Sequence, residues 1–419
     1  MVRNVFIICS YIIGCRAQNW ARIQTLGDEF LPRSGFGASS FGDTAYLFGG
    51  VVETDFADGN YSNSLYTFRQ ENGLDTYRQV DPADHSQPVP SPRAQLALAV
   101  NADFVFVFGG VAPVVNAAGN VVIKPAEDVA WLFDIATNSW ISLMGINGTE
   151  PTPRFGATAL AYGSRFLAFG GAQADSLGSL AVSNELWELD PSTRAWSLVP
   201  IAPSGRPATG RVFAFGHTFE NNIYIVGGQG SSGEYLTSIE MSTQSASFLD
   251  ANWKTFVPEE APSQVRGAFD SVLGNNFLLY AGTQPDGSIG CGLSVDASPL
   301  NPSEETWFYD FSTETWTKTV FAGSRPPALI DVQGVYIEPY MYAFGGFKYE
   351  CPGDGQVYNP DTYRYEVTLP TPRPTVSPTS MPTKEPEPNA TSGTLSSTGF
   401  IKLAIIVLSF MMSQNNLYP

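Results

Sequence analysis

Six times between residues 43 and 346 the chain returns to one pattern, a short apolar run that ends in a pair of small residues. The runs read DTAYLFGG (43–50), DFVFVFGG (103–110), SRFLAFGG (164–171), NNIYIVGG (221–228), NNFLLYAG (275–282) and PYMYAFGG (339–346). Nearly unbroken apolar runs of this length predict strands covered on both faces. Each begins after a two-residue turn such as Gly42-Asp43 or Asn221-Asn222, the chemistry of a tight hairpin. The closing Gly pair lets the chain leave the strand with positive φ and close backbone approach; in the fifth run Ala281 replaces the first glycine.

The stretch Asp128–Gly171 shows the rest of the repeat. Val129–Asp134 and Trp140–Leu143 read as two aromatic-rich strands, followed by Pro153-Arg154 and a strand of small residues. The turn between the aromatic strands recurs as Asp134 to Trp140, Asp190 to Trp196 and Asp310 to Trp316, each with Thr three places after the Asp. An Asp at the turn entrance bonds backbone further on, and the Trp then covers a neighbouring unit. Tyr77 stands in the Trp place in the first unit, and Trp253 follows a longer turn in the fourth.

An arginine lies upstream of each Gly pair: Arg33, Arg93, Arg154, Arg211, Arg266 and Arg325. The first four precede the first small residue by 16 positions, Arg266 by 15 and Arg325 by 20, which reads as an insertion in the last unit. Successive arginines are 60, 61, 57, 55 and 59 residues apart, a regular period that predicts repeat architecture. The sixth unit lacks a fourth strand of its own, whereas Asn19-Trp20 at the other end matches Asn252-Trp253. An N-terminal strand completing the last unit closes a ring and removes an open edge.

The Gly pair, the Tyr/Trp-to-Trp spacing and the Pro-Arg opening resemble the kelch-repeat family of β-propellers over residues 19–367. That resemblance implies an all-β, six-bladed kelch-type β-propeller whose last blade is closed by the N-terminal strand. A WD-type propeller fits less well, because no Gly-His or Trp-Asp signature recurs. In a four-strand blade the 2–3 loops share a face, and here those loops are long (Val51–Asn63, Val111–Asp128, Ala172–Asn184, Thr283–Glu304). Binding is expected on that face. The six arginines, expected to begin strand 1 at the same face, are candidate ligand-binding residues, a crown of guanidinium groups able to read carboxylate, sulfate or phosphate. The resemblance adds that some relatives read acidic peptides with arginines in this region. The alternative is that each arginine bonds backbone or carboxylates between blades.

Composition narrows the class. In a chain of 419 residues, 40 Gly, 31 Pro and 13% aromatics suit many short strands and turns. A net charge of −18 argues against nucleic acid as partner. Residues 1–17 read as a secretory signal peptide, with Arg3, the apolar Val5–Gly14 and small residues at Cys15 and Ala17. Its removal takes the charge to about −20 and leaves Cys291 and Cys351, both in 2–3 loops of adjacent units, as a candidate disulfide or two free thiols.

The propeller is expected over 18–368. Residues 369–399 form a Pro/Thr/Ser-rich stalk, and 400–419 a C-terminal hydrophobic GPI signal or short membrane anchor. The apolar run Phe400–Met412 falls short of the roughly 20 residues of a spanning helix. Ser392 or Asn389 is the candidate attachment residue. Asn60, Asn147 and Asn389 head glycosylation sequons, and Asn301 is excluded by Pro302. A location at the outer face of the plasma membrane follows.

Candidate chemistry is sparse. Two histidines, His85 and His217, and two mature cysteines make no metal site, and Asp55 to Asn60 departs from the EF-hand spacing. No cofactor is indicated and no catalytic residue is assigned. A copper-radical oxidase of kelch type needs histidine ligands and a Tyr–Cys crosslink, and the Glu-x-x-x-Asp-x-x-x-His run of kelch specifier proteins is missing. The expected function is a cell-surface recognition module binding protein or glycan through its long-loop face. The alternative is an extracellular carbohydrate-active or oxidoreductase-type propeller enzyme acting at the channel mouth.

Overall fold

The computed structural model describes residues 19–52, 60–145, 149–174, 180–199, 209–243, 252–262, 268–284, 301–302, 305–319, 322–323, 326–349 and 356–366. All regular structure among them is β. Signal peptide, stalk, anchor, Cys291, Cys351, Asn147, Asn389, Ser392, Arg266 and Arg325 lie outside the described residues.

Each apolar run is the second strand of an antiparallel four-strand meander. Unit 1 comprises Gly37–Phe41, Thr44–Phe48, Leu65–Glu71 and Leu74–Val80. Unit 2 comprises Ala97–Val100, Phe104–Phe108, Ala130–Asp134 and Ser139–Ser142, and unit 3 Thr158–Tyr162, Arg165–Phe169, Leu186–Asp190 and Ala195–Leu198. Unit 4 comprises Phe215–Phe219, Asn222–Val226, Ile239–Thr243 and Asn252–Phe256, and unit 5 Ala268–Leu273, Asn276–Ala281, Thr306–Asp310 and Thr315–Thr319. Unit 6 has Gln333–Ile337, Tyr340–Phe344 and Thr362–Glu366, and Asn19–Ile23 pairs with the last of these, Trp20 opposite Tyr365. The stretch Asp128–Gly171 thus ends one sheet and begins the next.

The second strands are buried from end to end apart from their first residues, as both-face coverage requires. The outer strands supply the cover between units. Trp140 of unit 2 packs on Phe48 of unit 1, and Trp196 of unit 3 on Phe106 and Phe108 of unit 2. Trp20 packs on Phe269 and Tyr280 of unit 5, and Tyr77 of unit 1 on Phe344 of unit 6. Burying each such ring contributes about 1.5–3 kcal/mol, so the seams between units carry a large share of the core. The turns behave as their Asp residues predict: Asp134 accepts from Thr137 N–H, Asp190 from Ser192 and Thr193, and Asp310 from Ser312 and Thr313.

The 2–3 connections are not plain loops. Val51–Val52 with Asn60–Tyr61, Val111–Val115 with Val121–Pro125, Ala172–Ala174 with Leu180–Val182, Thr283–Gln284 with Asn301–Pro302, and Phe347–Tyr349 with Gln356–Tyr358 form two-stranded ribbons. The short segments Arg33–Ser34 and Arg154–Phe155 pair with these ribbons instead of opening strand 1. That corrects the expected position of Arg33, Arg93, Arg154 and Arg211: their first strands begin four residues later.

Candidate functional site

Arginine and Gly pair are two halves of one joint. Nη1 of Arg33, Arg93, Arg154 and Arg211 donates to the carbonyl of Gly49, Gly109, Gly170 and Gly227, and these partners stand 16 residues apart in every case. The 16-residue interval therefore measures a hydrogen bond. The second residue of each pair reaches the next unit: Gly50 N–H donates to Arg93 O (2.8 Å), Gly110 to Arg154 O (2.9 Å), Gly171 to Arg211 O (2.8 Å) and Gly346 to Arg33 O (2.9 Å). In the sixth unit this place belongs to Leu329, whose carbonyl accepts from Gly282 and whose neighbour Ile330 bridges Phe347. Leu329 keeps the same interval to Gly345 that Arg33 keeps to Gly49, so the inferred insertion at Arg325 is corrected: a leucine occupies the arginine position.

The rest of each guanidinium is used within its own unit. Arg154 donates from Nε to Thr152 O (3.0 Å) and from Nη2 to Glu185 (2.7 Å). Arg93 holds Ser91 and pairs with Asp128, Arg211 pairs with Glu240 (2.9 Å), and Arg33 lies 4.3 Å from the ring centre of Phe30. All four are fully buried. The donors of Arg93 and Arg154 are taken up by carbonyls, hydroxyls and a carboxylate, and Arg33 and Arg211 are buried as deeply, so the ligand-binding role expected for these four arginines is corrected to a structural one. The carboxylates have a second partner that the sequence reading missed. Trp131 Nε1 donates to Asp128, Trp187 to Glu185 and Trp307 to Glu305. The acid two or three places before each third-strand Trp was the available signal.

Burial pushes the Asp128 carboxyl up, but the Arg93 guanidinium and the hydrogen bonds from Ser91 and Trp131 outweigh it and hold it below the usual aspartate value. Because the folded value is depressed, this group stabilises the fold above the unfolded aspartate value of about 4 and stops doing so as pH falls through the lower folded value. Thermal melts from pH 7 to 2.5 should show Asp128→Asn melting below wild type at neutral pH, with the gap closing in acid. A gap independent of pH would contradict this assignment.

At the inner edge, the residue two places past the arginine adopts positive φ in units 1 to 4: Gly35, Gln95, Gly156 and Phe213. Asp331, two places past Leu329, does the same. Their peptides link neighbouring units, Gln95 N–H to Gly35 O, Gly156 N–H to Gln95 O and Phe213 N–H to Gly156 O. Beneath them lies a cavity of about 470 Å³ lined by the first strands of all six units. Its wall carries small and hydroxyl side chains, and the structure brings His217 of unit 4 against Asp270 of unit 5, Nε2 hydrogen-bonded to Oδ2. The imidazole also packs on Phe277, ring centres 4.8 Å apart. Counted from strand pairing, His217 faces Tyr224 and Asp270 faces Leu279, so they stand one register position apart on the facing sides of adjacent sheets. A histidine and an aspartate in first strands otherwise free of charged side chains were the signal for this pair.

His85 is exposed in the Pro-rich connection, and Asn60 is exposed on its ribbon strand. Among the described residues no group of three His, Cys, Asp or Glu side chains gathers to hold a metal, and no helix is long and apolar enough to cross a membrane.

The Attractin/LZTR1 beta-propeller family matches residues 114–384. The chain belongs to this family. It is similar to kelch domain-containing protein 3 of Bos taurus, 27% identical over 263 residues, which are 61% of this chain and 62% of that protein. It also resembles the host cell factor homolog hcf-1 of Caenorhabditis elegans (27% identical, 50% of this chain, 27% of that protein). With the flagellar outer-arm dynein alpha chain of Chlamydomonas reinhardtii it shares 24% identity over 79% of this chain and 7% of that protein. The matches thus span less than two thirds of each relative. The solved structure of YjhT superposes with a TM-score of 0.57 at 16% identity, covering 81% of this chain and 94% of YjhT, a likeness of fold. The kelch-repeat β-propeller of this family accounts for the Gly-pair strands and for the Arg–Gly joints.

Proposed function

We propose that this kelch propeller is a six-bladed ring closed by Asn19–Ile23, exported and held at the cell surface, that binds a protein partner through its ribbon-bearing face. Ring closure draws support from contacts between unit 6 and unit 1: Gly346 with Arg33, Tyr342 and Arg364 with Asp75, and Tyr77 with Thr362. The signal sequence and the C-terminal tail support export and tethering by a GPI anchor or a short membrane segment.

One observation carries the binding reading. The ribbon Val111–Pro125 exposes Val115 at 67% and Val121 at 59%, with Val114 also exposed, so three valines gather on one ribbon. Exposed valines on a low-charge ribbon are a liability unless a partner covers them. Asn60 lies on the ribbon of the adjacent unit, where a glycan would border the docking surface and leave the Val111–Pro125 ribbon open.

The test is quantitative crosslinking of the full-length chain on intact cells. The protein crosslinked to wild type should fall ten-fold or more with Val115→Asp/Val121→Asp, and persist with Leu74→Asp, an exposed apolar residue beside the 3–4 turn. Equal capture by both variants would overturn the assignment.

A further inference from the structure

We propose that the central cavity is a hydrolytic site for a small ester without negative charge, with His217 as its general base and Asp270 as the residue that positions it. The site is distinct from the ribbon face and does not depend on it.

Asp270 Oδ2 takes the hydrogen bond of His217 Nε2, which places the remaining N–H of a neutral imidazole on Nε2 and leaves Nδ1 as the basic nitrogen. Nδ1 has no hydrogen-bond partner among the described residues, and the ring is held from beneath by Phe277. His217 lines the cavity, and at about 470 Å³ the space matches a small-molecule site. The six first strands are edge strands of their sheets, so each turns an unpaired row of backbone N–H and C=O groups inward. Such N–H groups are the donors that a developing oxyanion needs.

Charge selects the substrate. The charged side chains among the described lining residues are His217, Asp270 and Asp331, with no lysine or arginine. A carboxylate or phosphate ligand would meet two acids and no fixed cation, so an ester without negative charge is favoured. One imidazole paired with one carboxylate suits acyl transfer to water, whereas glycoside cleavage calls for two carboxylates flanking the bond. In the step, Nδ1 takes a proton from water and the water oxygen bonds to the acyl carbon. The acyl C–O bond then breaks, and the departing alkoxide recovers the proton from Nδ1. The products are an acid and an alcohol, and nothing is oxidised or reduced.

The full-length protein with p-nitrophenyl acetate as probe tests this. Wild type should hydrolyse the ester at least ten-fold faster than His217→Gln, with Asp270→Asn in between. Equal rates for wild type and folded His217→Gln overturn the proposal. If that variant does not fold, carbethoxylation of wild type decides, because the chain has 2 histidines and mass spectrometry reads each one. Activity lost in step with modification of His217 supports the site. Activity that survives its full modification, or a His217 that stays unmodified while His85 is consumed, overturns it.

Discussion

Arg211→Ala should destabilise the protein by about 3–5 kcal/mol, the cost of stripping one partner from a buried ion pair. Arg211 and Glu240 are the most completely buried such pair described, with side chains 0% and 1% exposed. Without the guanidinium, Glu240 keeps only the hydroxyl of Thr255, the Gly227 carbonyl loses its donor, and the Ser238 carbonyl keeps only the Gly227 N–H. A domain of ordinary stability holds about 5–15 kcal/mol in all, so the yield of folded protein should fall together with the urea midpoint. Arg211→Lys should recover part of the loss, since an ammonium carries the charge but lacks the planar fork that reaches Gly227, Ser238 and Glu240 together. An unchanged midpoint for the alanine variant would mean that the guanidinium is dispensable to the fold.

The second large effect is expected at the other half of the joint. Gly170 has φ +70°, and a Cβ there would stand 2.4 Å from the carbonyl oxygen of Arg211. Gly170→Ala therefore adds a backbone clash to left-handed strain and should cost well over the 1–2 kcal/mol of the strain alone. Gly163, in the first hairpin turn of the same unit, supplies the control. Its φ is +57° but nothing lies within 4 Å of a built Cβ, so Gly163→Ala should cost only about 1 kcal/mol. Urea denaturation of the two variants compares them directly. Similar losses would show that the close approach to Arg211 is relaxed at little cost and that conformation alone governs the pair.

These two experiments probe the features that were most legible in the sequence. Second strands, Asp-led turns, covering Trp residues and the pairing of Asn19–Ile23 with Thr362–Glu366 all follow from local patterns that recur in phase. The arginines were legible as positions and misread as chemistry. A regular arginine at a loop-bearing edge looks available for ligands until its surroundings are known, and only Glu185, Asp128 and the Gly carbonyls reveal that its donors are taken. Arg325 failed for a different reason: it was matched by residue type, whereas the bond from the Gly pair to the next unit needs only a backbone carbonyl, which Leu329 provides.

The sequence by itself determined the repeat, its period and the strand order, because an apolar run, a turn residue and a Gly pair act within a few residues of one another. The tertiary structure alone decided which polar groups meet. Arg154 and Glu185 are 31 residues apart in the chain, and His217 and Asp270 are 53. No short-range rule links residues at such separations. Their meeting depends on how each sheet turns its face to the next, which packing between the sheets sets and no single strand encodes.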